Sequence, residues 1–448
     1  MIGRAARNPD IFAHDGVSIC IILSFFIGLA TSFGIGLLTL VVISFILAIR
    51  NYNQPRMLTY ILIMVAVDPV MRTYLMGGVL FRYHSFDYLL LSLVLINFLY
   101  GGRVHLKPIR IYMFLLLWMI IGLLISKDIV LGGLSIVGYL GFLAFYLILW
   151  HAVDSPGFGD ILHDGLRYGI LASLLFSMLF FLSFGIEVFR QDLFDEFGGD
   201  YINPNSFSYM PLAGIVFSTL LVKLFGHSAR KQLIIQLILF GIIGLSGSRG
   251  SFIVGGLAIF FSLSGAIRTT RLVFVRIIAY FILSFSATLL KTSGVYTLER
   301  LSTFFQEEKD LSTASSGRSE IAFIGFQMFK SRPLVGLGTG SFRETFAELT
   351  ASYQYFGSDF LRKKQGDRIA AHSAYVKVMA ENGLIGLILL TGFLLSIYKA
   401  RTKDNFHIIA FSILVISLLS TEFNAKVPWF ICAFTIVMYR KNTTFKHT

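Results

Sequence analysis

Residues 129–150 read IVLGGLSIVGYLGFLAFYLILW, with no charge between Asp128 and His151. At a rise of about 1.5 Å per residue a helix of this length crosses the ~30 Å hydrocarbon core of a bilayer. The run is continuous rather than alternating, which is the pattern of a helix in lipid and not of a barrel strand. Working outward, similar runs bounded by charge, Gly or Pro fall near 17–31, 33–49, 57–76, 86–100, 111–126, 166–186, 207–225, 232–246, 251–264, 272–290, 383–398, 406–421 and 427–439. These are fourteen candidate helices, or twelve spans if two of the shorter ones are half-helices, in an all-α polytopic membrane protein.

Composition agrees. Of the 448 residues 55% are apolar, 15% aromatic and 14% charged, and the mean hydropathy is +0.74. Soluble domains carry about 25% charged residues, so a disordered tail, a soluble enzyme and a secreted disulfide scaffold are all excluded. Cys20 and Cys432 both lie inside apolar runs, so no disulfide framework is expected. Arg4 and Arg7 precede the first run with no small-residue cleavage site after it, which predicts a retained signal anchor. A formal net charge of +13 could suggest nucleic acid as a partner. The basic residues cluster at span ends instead, as the positive-inside rule requires, and no nucleic-acid role is expected.

That clustering orients the chain. With the N-terminus in the cytoplasm, the inner segments hold 20 of the 38 basic residues, among them Arg50, Arg56, Arg167, Arg230 and Arg440. Short outer loops and outer span ends hold six: Arg72, Arg82, Lys127, Arg190, Arg249 and Lys426. Both termini are therefore expected inside. The expected division is transmembrane helices over 1–290, a large outer loop over 291–382, and C-terminal helices with a tail over 383–448.

Two outer segments stand out. The first, about 187–206, is acidic (Glu187, Asp192, Asp195, Glu196, Asp200) and ends in NPNSF, Asn203 to Phe207; its carboxylates show no metal-ligand spacing. The second, 291–371, has room for structure outside the bilayer. It reads as a polar stretch, a helix from about Ser316 to Lys330 stopped by Pro333, a Gly-rich turn, and a second polar stretch. A further helix starts near His372 and breaks at Asn382-Gly383.

Three basic residues fall on the outer face. Arg249 sits in GSRGS between two apolar spans, where a charge is expensive and small neighbours leave room for a ligand; the alternative is a side chain snorkelling to headgroups. Arg318 opens the loop helix in SSGRSE, where a helix N-terminus and a guanidinium fork both favour phosphate, although by itself it reads as a solvated helix end. His372 opens HSAYVKVMAENGLIG, with Tyr375 and Met379 on its helical face and Glu381 opposite. An imidazole there can take a proton from a hydroxyl near neutral pH; taken alone it is an ordinary interfacial His. Gly336, Gly338 and Gly340 in SRPLVGLGTGSF resemble a phosphate-cradling turn without the Gly-Lys-Ser/Thr of a P-loop, and a packing turn explains them better. Asp68 and Arg72, at i and i+4, read as a structural ion pair in the third span.

The combination is more specific than its parts. An Arg in a short outer loop is followed 69 residues later by an Arg at a helix start, then by a Pro-x-x-Gly-x-Gly-x-Gly turn. A His follows that second Arg by 54 residues and leads into Glu-Asn-Gly-Leu-Ile-Gly. This pattern resembles the O-antigen ligase and polymerase superfamily, from NPNSF to Gly386 and most strongly over Gly317–Gly386. The departure is Ser373 after the His, where Asn is commonest in the family.

The resemblance implies a GT-C-like, metal-independent glycosyltransferase of the bacterial inner membrane with no cofactor. Its expected donor is an undecaprenyl-diphosphate-linked saccharide taken at the periplasmic face, and its acceptor a growing polysaccharide or lipid A-core. Membrane lipid surrounds it. By position, Arg249 and Arg318 would bind the donor diphosphate and His372 would activate the acceptor, with Asn205, Gly336, Gly338, Gly340, Tyr375 and Glu381 supporting the site. The absence of a second acceptor domain leans toward polymerase over ligase. A polyisoprenoid-glycolipid flippase is the alternative; it predicts inverted repeats and mid-bilayer ionisable residues that the sequence lacks in quantity.

Overall fold

A computed structural model describes residues 16–51, 56–74, 109–153, 155–185, 204–246, 248–264, 317–352, 359–399, 431 and 433–437. Among these residues there are helices and turns and no strand. The helices are α1 Gly16–Ala30, α2 Phe33–Arg50, α3 Met57–Tyr74, α4 Arg110–Leu123, α5 Ile129–Val153, α6 Phe158–Phe184 and α7 Pro204–Phe225. They continue with α8 Ala229–Ser246, α9 Arg249–Ser264, α10 Arg318–Ser331, α11 Phe342–Ser352, α12 Asp359–Lys363 and α13 Ala374–Lys399. Five of them are long and apolar enough to cross a membrane: α5, α6, α8, the stretch Phe207–Phe225 of α7 and Ala374–Tyr398 of α13. The chain is an all-α polytopic membrane protein.

The expected spans at 86–100, 272–290 and 406–421 lie outside the described residues, as do the acidic segment 187–203 and the loop 291–316. The side chains of Asp68 and Arg72 are likewise outside, though both positions fall within α3.

Two compact units divide the chain: Met1–Gly101 with Ile148–Leu301, and Gly102–Leu147 with Ser302–Thr448. In the first, α6 packs along α3 and α7. Glycine makes this approach possible, since a Cβ on Gly165 would stand 2.7 Å from Leu62 Cδ1 and 3.2 Å from Thr59 Cα. A buried cluster including Ile63, Val67, Phe176, Phe180, Phe207 and Met210 fills the interior. Polar side chains also join helices. Gln236 of α8 is fully buried and gives its Nε2 to Thr219 Oγ1 of α7 (3.3 Å) and Ser262 Oγ of α9 (3.2 Å), which is how apolar spans gain specificity in lipid.

Helix α6 starts at Phe158, eight residues before the apolar run at 166. Its extra turns carry His163, whose Nδ1 lies 3.2 Å from Asp164 Oδ1 and whose Nε2 lies 2.8 Å from His227 Nε2 in the α7–α8 linker. With Nδ1–H directed at the carboxylate, Nε2 of His163 is the acceptor and His227 the donor. Burial, then the neighbouring His163, then Arg167 lower the His227 pKa below its ordinary value.

In the second unit the quoted run begins where Asp128 caps α5: its Oδ1 accepts from Leu131 N at 2.8 Å. Tyr112 of α4 packs on Phe142 of α5 and Phe393 of α13 with ring centroids 4.7 and 5.0 Å apart, and its hydroxyl donates to Tyr139 O (2.6 Å). A smaller core of Ile321, Ile324, Met328, Phe342, Phe346, Leu361, Ala371 and Ala380 joins α10, α11, α12 and α13.

The expected loop helix at Ser316–Lys330 is α10, ending just before Pro333. The expected second polar stretch contains α11 and α12. Helix α11 shows its pattern in Phe342, Phe346 and Leu349, an i, i+4, i+7 set that charged neighbours obscure.

Candidate functional site

Two short motifs interlock to build the floor of the site in the second unit. Helix α13 is broken at Gly383 (φ 63°, ψ −159°), so the amides after the break cannot reach the carbonyls one turn back. Leu384 N donates instead to Pro333 O (2.8 Å) and Ile385 N to Leu334 O (3.3 Å). The carbonyls so released, Ala380 O and Glu381 O, accept from Leu337 N (3.1 Å) and Gly338 N (2.8 Å). The 333–338 turn is thus spliced into the helix by four backbone bonds, which pair the amides and carbonyls that the break releases.

This approach of backbone to backbone is why both motifs carry glycine. A Cβ on Gly336 would lie 2.4 Å from Glu381 O, one on Gly383 2.4 Å from Leu334 O, and one on Gly340 2.3 Å from Gly132 N. A Cβ on Gly338 would lie 2.7 Å from Gly122 O, and Gly386 leaves room for the Asn382 side chain. All of Gly336, Gly338, Gly340 and Gly383 have positive φ. The turn is therefore a packing device and not a phosphate cradle, because the amides at 336–339 and 341 already bond to backbone carbonyls.

Glu381 and its neighbours lock the splice. The Glu381 carboxylate is 1% exposed, and its Oε1 accepts from Phe342 N (3.1 Å), capping α11 from another helix. Trp118 Nε1 donates to Asn382 O (3.0 Å), and Thr339 Oγ1 donates to Met119 O (2.8 Å). Ser341 Oγ accepts from Lys127 N (2.9 Å), tying the turn to the α4–α5 corner.

The splice also sets the direction of α10. Gly325 of α10 faces Val376 of α13, and the segment that follows α10 is bonded to residues 380–385. Helix α10 and the part of α13 ahead of the break at Gly383 therefore run side by side and parallel, with Arg318 and His372 at their shared N-terminal end. Two helix N-termini pointing the same way favour an anion there. Arg318 is the first residue of α10, behind Gly317, which offers no capping side chain. His372 lies two residues ahead of α13 with φ 52°, the one non-glycine residue with positive φ among those described. Strain of this kind, of order 1–3 kcal/mol, persists where the surroundings enforce it and is concentrated at functional sites.

Because α13 begins at Ala374, His372 is not on a helical face with Tyr375 and Met379, contrary to the expected i+3 and i+7 relation. Both are half-buried in the first turns that follow it. Lys377, in the same turns, donates from Nζ to Ser135 Oγ (3.2 Å), a tie to α5 that no sequence motif announces.

In the first unit, Arg249 is the first residue of α9, one residue after the buried Ser248, and not a loop residue. Ser208 Oγ of α7 donates to Ser251 Oγ of α9 (2.7 Å), and lower down Thr219 Oγ1 of α7 donates to Ala258 O (3.2 Å). These pairings make α7 and α9 parallel and bring their N-terminal ends level. Asn205, in the first turn of α7, and Arg249 therefore share one end of the unit. Their side chains lie outside the described residues.

Residues 234–391 match the family model described as O-Antigen ligase. Over this segment the chain is similar to the O-antigen ligase family. No curated protein matches the chain significantly in sequence. The matched segment contains Arg249, Arg318 and His372 together with both halves of the glycine splice.

Proposed function

We propose that this protein is a glycosyltransferase that moves a saccharide from undecaprenyl diphosphate to a glycan acceptor at the periplasmic face of the bacterial inner membrane, in surface-polysaccharide assembly. The observation that carries the reading is the shared N-terminal end of α10 and α13, where Arg318 and His372 open two parallel helices inside the segment that matches the O-antigen ligase model. Arg249, in the same segment, is the second guanidinium for the donor.

The chemistry follows from the groups. His372 takes the proton of the acceptor hydroxyl; the freed oxygen pair forms a bond to C1 of the donor sugar; and the C1–O bond to the diphosphate breaks, its electron pair leaving on phosphate. Positive character grows at C1 while negative charge grows on the leaving group. Guanidiniums and helix N-termini are suited to that negative charge, so no divalent ion is required. A single displacement inverts the anomeric centre. Tyr375 supports the acceptor side, Asn205 the donor side, and Glu381 with the three glycines fixes the turn on which α10 is mounted. On this reading the acceptor is the growing polymer itself.

The test is an incubation of the purified full chain in detergent with its organism's undecaprenyl-diphosphate repeat unit and no other acceptor. A size ladder of products supports polymerisation. Transfer only after adding lipid A-core makes the protein a ligase, and consumption of donor under neither condition removes the glycosyltransferase reading.

A further inference from the structure

We propose that α10 is an interfacial helix, whose outer face rests in the surface of the bilayer with Phe323 and Phe326 at the acyl boundary and Lys330 and Arg332 among anionic headgroups. The proposal rests on the membrane-spanning fold and stands apart from the catalytic reading. Helix α10 buries Ile321, Ile324, Gly325 and Met328 against the small core of the second unit. Half a helical turn away it presents Phe323, Phe326 and Lys330 in a row, and the two rings are 48% and 43% exposed. A helix that turns its outer face to water carries polar residues there. This one carries aromatic rings with a basic residue, the composition of helices that lie in a membrane surface. Lys330 Nζ stands 4.8 Å from the centroid of the Phe326 ring, so the ammonium and the aromatic face lie together on this outer side of the helix.

The position of α10 gives the face its partner. The turn after it, with Leu334 and Val335 both exposed, is hydrogen-bonded through Pro333 O and Leu334 O to Leu384 N and Ile385 N. Those residues begin the apolar part of α13, and Leu384, Ile385 and Ile388 are exposed along it. Exposed apolar residues thus lie on a membrane-crossing helix, on the turn bonded to it, and on the outer face of α10. On this proposal lipid covers all three. The exposed Lys330 and Arg332 at the α10 end of this surface match an anionic headgroup layer. A consequence is that Arg318, at the other end of the same helix, is held at a fixed height over the lipid.

Single cysteines at 323, 326, 334 and 348, in a Cys20→Ser/Cys432→Ser background, test this with nitroxide labels on the full chain. The vesicles contain mixed phosphatidylcholine and phosphatidylglycerol, and collisions with oxygen and with a water-soluble nickel chelate are compared. Labels at 323, 326 and 334 are expected to favour oxygen, and the label at 348, on the exposed Glu348 position, to favour the chelate. Chelate access at 323 and 326 equal to that at 348 overturns the proposal, as does exclusion of both reagents, which means a protein surface covers the face. Replacing Lys330 and Arg332 by Glu should raise the labels toward water in the mixed vesicles and leave them unmoved in pure phosphatidylcholine. No such difference overturns the electrostatic half of the proposal.

Discussion

At the scale of the residue, the strongest constraints fall on backbone that no side chain can replace. Gly383→Ala places a methyl 2.4 Å from Leu334 O at φ 63°, so it must unseat the splice. We expect a loss of at least about 2 kcal/mol, read as a lower melting temperature in detergent. An unchanged melting temperature would show that the break in α13 is not enforced. Glu381→Ala leaves the Phe342 amide without its cap in a buried place, which should cost roughly 1–3 kcal/mol. Glu381→Gln keeps an acceptor oxygen and should recover most of it; equal damage from both variants would mean that the charge, and not the cap, matters. The residues that opened the argument were legible because they are chemically unusual in such a chain: a charge in GSRGS, and a His two residues before a helix. Glu381 was named as a supporting residue, but its part was not legible, since nothing in its own neighbourhood shows that its partner is the amide of Phe342, 39 residues away.

At the scale of the element, apolar runs gave the helices their places but not their ends. The polar turns at the start of α6 were invisible because Asp160, His163 and Asp164 look like loop residues, although helix geometry carries His163 onto a contact with the α7–α8 linker. That contact has a consequence for pH. The pKa of His227 is lowered in the folded state, so the unfolded chain takes up a proton near the ordinary value of about 6.5 that the native protein declines. Stability from this group is fully present above that value and is lost as pH falls through it. The melting temperature should drop between about pH 7 and pH 5.5, and His227→Gln should flatten that slope. A slope unaltered by the variant would assign the pH dependence to other groups. The glycine turn illustrates the reverse case. Its residues were conspicuous, yet their meaning depended on a partner segment more than forty residues later, and periodicity carries no information about such pairing.

For the whole molecule, the membrane-spanning class was fixed by composition, because 14% charged residues cannot cover a soluble protein of this size. The proposed site residues are less evident: the segment 234–391 that matches the O-antigen ligase model contains Arg249, in one compact unit, and Arg318 and His372, in the other. Sequence could supply the residues, and only the parallel packing of α10 on α13 explains why an arginine and a histidine so far apart in the chain open onto the same end. The most direct test of the account is the initial rate of donor consumption by His372→Ala and Arg318→Ala, with wild type at equal folded concentration and comparable melting temperature. The account predicts that His372→Ala loses roughly 10²–10⁴-fold, the contribution of a general base, and that Arg318→Ala falls severely as well. Rates near wild type in well-folded variants would contradict it.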